Sequence, residues 1–212
     1  MNGTPVTYAL LVVCGAMFGL QMVDSQGWLV IHLALWPLGN HALPQALGGW
    51  PEFMPWQLLS YGFLHGGPEH LFFNSLGLWM FGRDLERFWG SRPFLLFVLV
   101  AIVGAGLAQL AVASLSGEPY PTVGISGGVY GVLLGFGMMF PNRIVMPLFP
   151  PIPMKARTLV ILFAVLELSM GVAASASGVA HFAHLGGLAT GWLVIQYWRG
   201  RLPWKPRRVL RY

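Results

Sequence analysis

PFLLFVLVAIVGAGLAQLAV, residues 93–112, carries no charged side chain and no alternation of polar with apolar residues. Wound as an α-helix, a stretch of this length rises about 30 Å, the thickness of the hydrocarbon core of a bilayer. A strand of a membrane barrel would turn polar residues inward at every second position, and this stretch does not. Inside a bilayer the backbone N–H and C=O groups must be satisfied within the segment itself. Residues 93–112 are therefore read as the centre of a transmembrane helix.

Working outward, the same reading gives six spans, at about 6–23, 69–87, 93–115, 126–140, 155–176 and 179–198. No Lys or Arg precedes the first, so it lacks the positive leader of a secretory signal peptide. Between spans one and two, residues 28–36 (WLVIHLALW) followed by Pro and Gly signals read as amphipathic or membrane-dipping pieces, a membrane-associated first outer loop. The basic residues fall in three places only. Arg83, Arg87 and Arg92 follow span two; Arg143, Lys155 and Arg157 lie between spans four and five; Arg199, Arg201, Lys205, Arg207, Arg208 and Arg211 form the tail. The alternate loops hold Asp24, Glu52, Glu69 and Glu118 instead. By the positive-inside rule both termini are cytoplasmic and the loops after spans one, three and five face outward. The expected fold is an all-α polytopic membrane protein, one six-transmembrane-helix bundle over 1–212, with 199–212 a basic cytoplasmic tail.

Composition agrees. Of 212 residues, 56% are hydrophobic and only 9% charged, and the mean hydropathy is +0.65. A soluble domain is about 25% charged, so a cytosolic enzyme, a nucleic-acid-binding module and a disordered chain are all excluded. The net charge of +5 belongs to the membrane-flanking clusters, which suit an anionic inner leaflet rather than nucleic acid. A single cysteine, Cys14, within an apolar run, rules out a disulfide framework and a Cys-based metal site.

Polar groups inside a bilayer are costly and mark function by default. Here they are His70 and Asn74 in span two, Ser126 in span four, Glu167 in span five, and His181 and His184 in span six. All but Glu167 fall toward the outer ends of their helices, so residues remote in sequence converge on one depth. Gly124-Ile125-Ser126-Gly127-Gly128 matches the G-x-S-x-G string of soluble hydrolases formally, but the strand and sheet that such an elbow needs are missing. What remains is a serine at a helix N-terminus, either a simple cap or a nucleophile among unpaired backbone N–H groups. Helical spacing favours the second. Gly127, Gly131 and Gly135 recur every four residues, and Gly187 and Gly191 form a second smooth face close to that of His184. Packed together, the two faces bring Ser126 and His184 into reach as nucleophile and general base. His181 is displaced from that face and reads as supporting or interfacial. Tyr130, four residues after Ser126, is placed to stack on the imidazole. No carboxylate stands at the outer ends to orient the histidine, so a dyad is expected. His70 and Asn74 share a face and are candidate oxyanion donors, or else hydrogen bonds between helices.

Taken together these residues resemble the rhomboid family of intramembrane serine proteases. The resemblance runs through Trp56-Gln57, His65-Gly66-Gly67-Pro68-Glu69-His70-Leu71-Phe72-Phe73-Asn74, Gly82-Arg83-Asp84-Leu85-Glu86, Gly124-Ile125-Ser126-Gly127 with Tyr130, and Ala183-His184-Leu185-Gly186-Gly187 with Gly191. It implies Ser126 as nucleophile, His184 as base and Tyr130 packed on that histidine. It also implies His70, Asn74 and Gly124 about the oxyanion site and a structural role for Glu86. The implied substrates are transmembrane segments cut near their outer ends, and the implied location is the inner (plasma) membrane of a prokaryote, with the lipid bilayer as the surrounding partner. Many relatives have Trp-Arg where this chain has Trp56-Gln57, so a brace supplied by that arginine must differ here.

Other chemistries fail on inventory. There is no H-E-x-x-H zinc motif and no intramembrane aspartate pair. The lysines Lys155 and Lys205 sit at cytoplasmic ends, and no cofactor signature occurs. No metal, cofactor or nucleic-acid partner is expected. The rival reading is a non-catalytic rhomboid-like protein that binds or escorts transmembrane helices. Ser126, on a short fourth span, is expected several ångströms below the outer surface, in a polar cavity lined by His70, Asn74 and His184. Glu167 is expected deeper than Ser126, pointing into the bundle along a stripe with Gly171, Ala174 and Gly178, and inclined by desolvation toward its protonated form. On that reading it is a structural latch on a span that the resemblance implies is a movable gate. Glu167→Gln would then be silent, and Glu167→Leu would alter stability or cleavage rate.

Overall fold

The computed structural model describes residues 3–38, 51–116, 120–148, 151–173, 180–204 and 206. The chain is an integral membrane protein built mostly from helices. Helix α1 is Pro5–Val23, α2 Trp28–Leu33 and α3 Gln57–Ser60, the last running into a 3-10 turn at Tyr61–Phe63. Next, α4 (Pro68–Gly77) passes through a wider π-helical turn at Leu78–Gly82 into α5 (Arg83–Trp89). Helix α6 is Ser91–Ser116 and α7 Ser126–Met139. A two-stranded hairpin, β1 (Ile144–Val145) with β2 (Met154–Lys155), leads to α8 (Ala156–Ala173), and α9 is His181–Trp198. Three of these, α1, α6 and α8, are long and apolar enough to cross a membrane, and α7 is a shorter apolar helix. Residues 174–176 and 179 of the expected fifth and sixth spans, together with Glu118, Ala174, Gly178, Lys205, Arg207, Arg208 and Arg211, lie outside the described residues.

Helix α7 is the hub. Its buried residues include Gly127, Gly128, Gly131, Val132, Leu133, Gly135 and Phe136, spread around the whole circumference rather than along one stripe. Such a helix belongs inside a bundle, and α6 and α9 pack most extensively on it and on each other. Helices α1 and α8 are peripheral. On α8, Ile161, Val165, Leu168 and Val172 are all more than half exposed, which suits contact with lipid tails and would be costly in water.

Glycines set the spacing at the centre. A Cβ at Gly187 would run into the carbonyl of Gly127, and one at Gly191 would come within 3.2 Å of the Cα of Gly131. The α7 and α9 backbones therefore touch, the small-residue packing expected of the two G-x-x-x-G faces.

The N-terminus of α1 is held by Glu86, in the middle of α5. This carboxylate, 1% exposed, accepts hydrogen bonds from the backbone N–H of Val6 (2.9 Å) and Thr7 (2.8 Å) and from the hydroxyls of Thr7 (2.7 Å) and Ser91 (2.7 Å). An acidic group at a helix N-terminus satisfies donors that the helix leaves open and complements its dipole. Because bonds to a charged group contribute about 1.5–3 kcal/mol each and are not additive, Glu86→Ala is expected to destabilise by roughly 3 kcal/mol. Thermal melting in detergent checks this, and an unchanged midpoint would show that the four bonds contribute nothing net.

Gln57 braces the first loop. Fully buried, its carbonyl oxygen accepts from the N–H of Trp36 (3.3 Å) and Met54 (3.2 Å), and its amide donates to the carbonyl of His32 (3.4 Å). The neighbouring Trp56 indole donates to the same carbonyl at 2.9 Å. The loop so held pairs with the segment before α7, Leu35 and Thr122 exchanging two backbone hydrogen bonds of 3.0 and 2.9 Å.

Candidate active site

Residues 122–126 turn the chain into α7. Gly124 has φ +117°, a conformation that L side chains rarely adopt, and a Cβ there would lie 2.6 Å from Cε1 and 2.7 Å from Nε2 of His70. Glycine is thus required twice, for the turn and for room. Its N–H donates to the carbonyl of Tyr61 (2.9 Å), and the Tyr61 hydroxyl donates to the carbonyl of Ile102 in α6 (2.8 Å), which fixes the turn against the bundle. Ser126 is the first residue of α7. The N–H groups of this first turn have no helical carbonyl behind them, and the first such bond runs from Val129 N–H to the carbonyl of Ile125.

The Ser126 Oγ lies 2.8 Å from Nε2 of His184. Contact between Gly127 and Gly187 brings α7 and α9 close enough for that distance. Tyr130 stacks on the His184 ring with centroids 4.3 Å apart and planes 9° apart, as its i+4 position suggested. Ser126 and His184 are half-buried, neither sealed nor freely exposed.

His70 and Asn74 close the other side. The N–H of Gly66 donates to Nδ1 of His70 at 3.4 Å, which leaves the proton of a neutral ring on Nε2, the nitrogen beside Gly124. The amide nitrogen of Asn74 is buried without a hydrogen-bond partner among the described residues, and it lies 3.6 Å from the position that a Gly124 Cβ would occupy. A buried, unpaired donor beside a candidate nucleophile is what an oxyanion site requires. Behind His70, in edge contact with it at 5.3 Å, stands His65. Burial, reinforced by repulsion from His70, pushes the His65 imidazole down to about 4, which favours its neutral form.

Two expectations need correction. Glu167 is not remote from the site: its Oε2 lies 3.0 Å from Nδ1 of His184 and 2.7 Å from Nδ1 of His181, while Oε1 accepts from the Tyr130 hydroxyl. A carboxylate therefore does stand beside the histidine. His181, read from the sequence as supporting or interfacial, is 3% exposed and bonded to that carboxylate. Positions 181 and 184 are neighbours on one helix surface, a signal present in the sequence that the distance of His181 from the glycine face obscured. Of the proposed small-residue stripe, Gly171 does pack, a Cβ there lying 3.2 Å from the Cβ of His181.

Comparison with known proteins follows the same residues. The family model described as Rhomboid domain matches residues 52–201. The chain is 31% identical over 195 residues to the rhomboid protease GluP of Bacillus subtilis, a match covering 90% of this chain and 34% of that protein. It is 39% identical over 140 residues to RHOMBOID-like protein 4 of Arabidopsis thaliana, covering 66% of this chain and 33% of that one. With the rhomboid protease GlpG of Klebsiella pneumoniae subsp. pneumoniae it shares 29% over 191 residues, 90% of this chain and 62% of the relative. The matches thus span about a third of the length of the first two relatives and about three-fifths of the third.

Proposed function

We propose that this chain, which belongs to the rhomboid family, is an intramembrane serine endopeptidase acting on transmembrane segments of other proteins. The observation that carries the reading is the 2.8 Å contact between Ser126 Oγ and His184 Nε2 at the N-terminus of a buried helix. His184 Nε2 takes the hydroxyl proton as Oγ bonds to the scissile carbonyl carbon. The carbonyl oxygen becomes an oxyanion, which His70 Nε2–H, the Asn74 amide and the first-turn N–H groups of α7 are placed to receive. Collapse breaks the C–N bond, the His184 proton goes to the leaving amine, and an acyl ester remains on Ser126. Water then attacks the ester, giving its proton to His184, and the acid product leaves as that proton returns to Oγ.

The topology proposed is the one read from the sequence, with six crossings, cytoplasmic termini and a site that opens outward, and the short α7 supports a site recessed below the membrane surface. A helix of 14 residues covers about 21 Å, less than the roughly 30 Å hydrocarbon core. With the Arg143 end of α7 at the inner surface, Ser126 is recessed from the outer one. Substrates enter from the bilayer, and the inner membrane of a prokaryote is the proposed location.

A fluorophosphonate reagent tests the assignment directly, because only an activated serine displaces its fluoride. Labelling at Ser126, lost in His184→Ala, is expected. Absence of labelling would leave a helix-binding protein without catalysis. Asn74→Ala is expected to slow substrate cleavage roughly 10²–10³-fold through kcat, the cost of one oxyanion donor. A change in KM alone would assign Asn74 to substrate binding instead.

A further inference from the structure

The carboxylate of Glu167 is surrounded by donors. Tyr130 O–H reaches Oε1, and Nδ1 of both His181 and His184 reaches Oε2. If Nε2 of His184 accepts the Ser126 proton, its ring proton resides on Nδ1, the nitrogen facing Glu167. With the Tyr130 hydroxyl and His181 hydrogen-bonded to it and Nδ1 of His184 at 3.0 Å, the arrangement fits an ionised, acceptor-only carboxylate. The three residues could also be read as a His–His–Glu metal site, since their ligand atoms lie within 4.8 Å of one another. The spacing argues against it. Ligands about 2.0–2.1 Å from a tetrahedral zinc stand about 3.3 Å apart, whereas Oε2 is 2.7 Å from one imidazole nitrogen and 3.0 Å from the other. Such gaps hold protons.

We propose that Glu167 is a positioning residue for the Ser126–His184 pair: it holds the Nδ1 proton of His184, keeps Nε2 facing Ser126, and offsets the charge of the imidazolium. The inference rests on the protease reading above. During attack the Ser126 proton passes to Nε2 and the Nδ1 proton stays on the ring, so Glu167 itself takes up none. Tyr130 fixes the plane of the imidazole by stacking and anchors the carboxylate through its hydroxyl, while His181 anchors it from the next helical turn. The 3.0 Å contact lies off the hydrogen-bond axis of Nδ1, and contacts of this kind tighten when the Michaelis complex forms. The groups facing His184 are Ser126 and Tyr130 from α7, Glu167 from α8, His70 from α4 and His181 on its own helix. From α6 there is none, because its one ionisable residue, Arg92, lies in its first turn.

The rate of fluorophosphonate labelling of Ser126, followed across pH in the full chain in detergent, separates this role from a structural one. An aligned triad carboxylate contributes roughly 10⁴-fold. An off-axis contact with the stacked Tyr130 still in place contributes less, so Glu167→Gln is expected to lower the plateau rate on the order of 10–10²-fold. Removing the anion also takes away the counter-charge of the imidazolium formed during attack, so the acid limb of the labelling profile is expected to move to lower pH. This reverses the expectation, drawn from sequence, that Glu167→Gln is silent. Glu167→Asp keeps the charge one methylene further away; it is expected to retain the acid limb with a lower plateau, and it serves if Glu167→Gln does not fold. Wild-type labelling with an unchanged plateau and limb in Glu167→Gln, or an unchanged plateau in Glu167→Asp, overturns the proposal while leaving the protease reading intact. An unlabelled wild type, or His184→Ala labelled as fast as wild type, overturns both.

Discussion

Replacing Ser126 by alanine is expected to abolish cleavage of a membrane-embedded substrate, and replacing His184 by alanine to do the same, each by on the order of 10⁵–10⁶-fold. The two residues form one device. Without the hydroxyl there is nothing to acylate, and without the imidazole 2.8 Å away the hydroxyl keeps its proton and is a poor nucleophile. The double variant is therefore expected to be no slower than either single one, since what the first substitution removes the second cannot remove again. Neither change should disturb assembly, because α7 and α9 meet through Gly127, Gly131, Gly187 and Gly191 rather than through these side chains. Proteoliposomes carrying enzyme and a single-span substrate, resolved by gel, give the measurement, with thermal melting as the control for folding. Cleavage by Ser126→Ala at the wild-type rate, with contaminants excluded, would end the serine-protease reading.

The parts of this site legible in the sequence are those set by spacing along one helix or by a face repeated on two. Tyr130 lies at i+4 from Ser126, and the paired glycine faces joined Ser126 to His184 across 58 residues. Glu167 comes within reach of His184 because the helices are levelled at the ends far from Ser126. Counted from those ends, the heights agree to within about 4 Å. Ser126 stands 13 positions before Met139, the end of α7, and His184 stands 14 before Trp198, the end of α9. Glu167 stands 11 after Ala156, the start of α8. At 1.5 Å per residue these are about 20, 21 and 17 Å. These ends share one floor: Ala156 N–H donates to the carbonyl of Arg143 at 2.8 Å, Trp89 meets Trp198, and Phe88 meets Phe140. Sequence contained the arithmetic but not that floor. The brace at Gln57 was illegible for another reason. Its partners are backbone groups of residues 32, 36 and 54, and no side-chain pattern announces a backbone partner.

Since the backbone contact of α7 with α9 sets the distance between Ser126 and His184, the strongest structural effect is expected at Gly187. Its Cβ position is occupied by the carbonyl of Gly127, part of a helix backbone that cannot rotate aside as a side chain would. Gly187→Val must force the helices apart along the seam that organises the bundle, at a cost above the roughly 1–3 kcal/mol of ordinary overpacking, and is expected to yield no folded protein. Gly187→Ala is the more informative variant. One methyl is accommodated by about an ångström of separation, and a misplacement of that size costs on the order of 10²-fold when it falls between reacting groups. Fluorophosphonate labelling of Ser126 is thus expected to slow by about that factor at temperatures where Gly187→Ala still melts cooperatively. Gly15→Ala and Gly19→Ala are the controls. Both lie inside α1 with nothing within 4 Å of the added atom, and exchanging glycine for alanine there removes a helix-propensity deficit of roughly 1 kcal/mol. They are expected to melt at or above the wild-type temperature and to label at its rate. A Gly187→Ala protein that melts and labels like wild type would show that the α7–α9 seam has slack, and that Ser126 and His184 are held in register by something other than the meeting of two glycine faces.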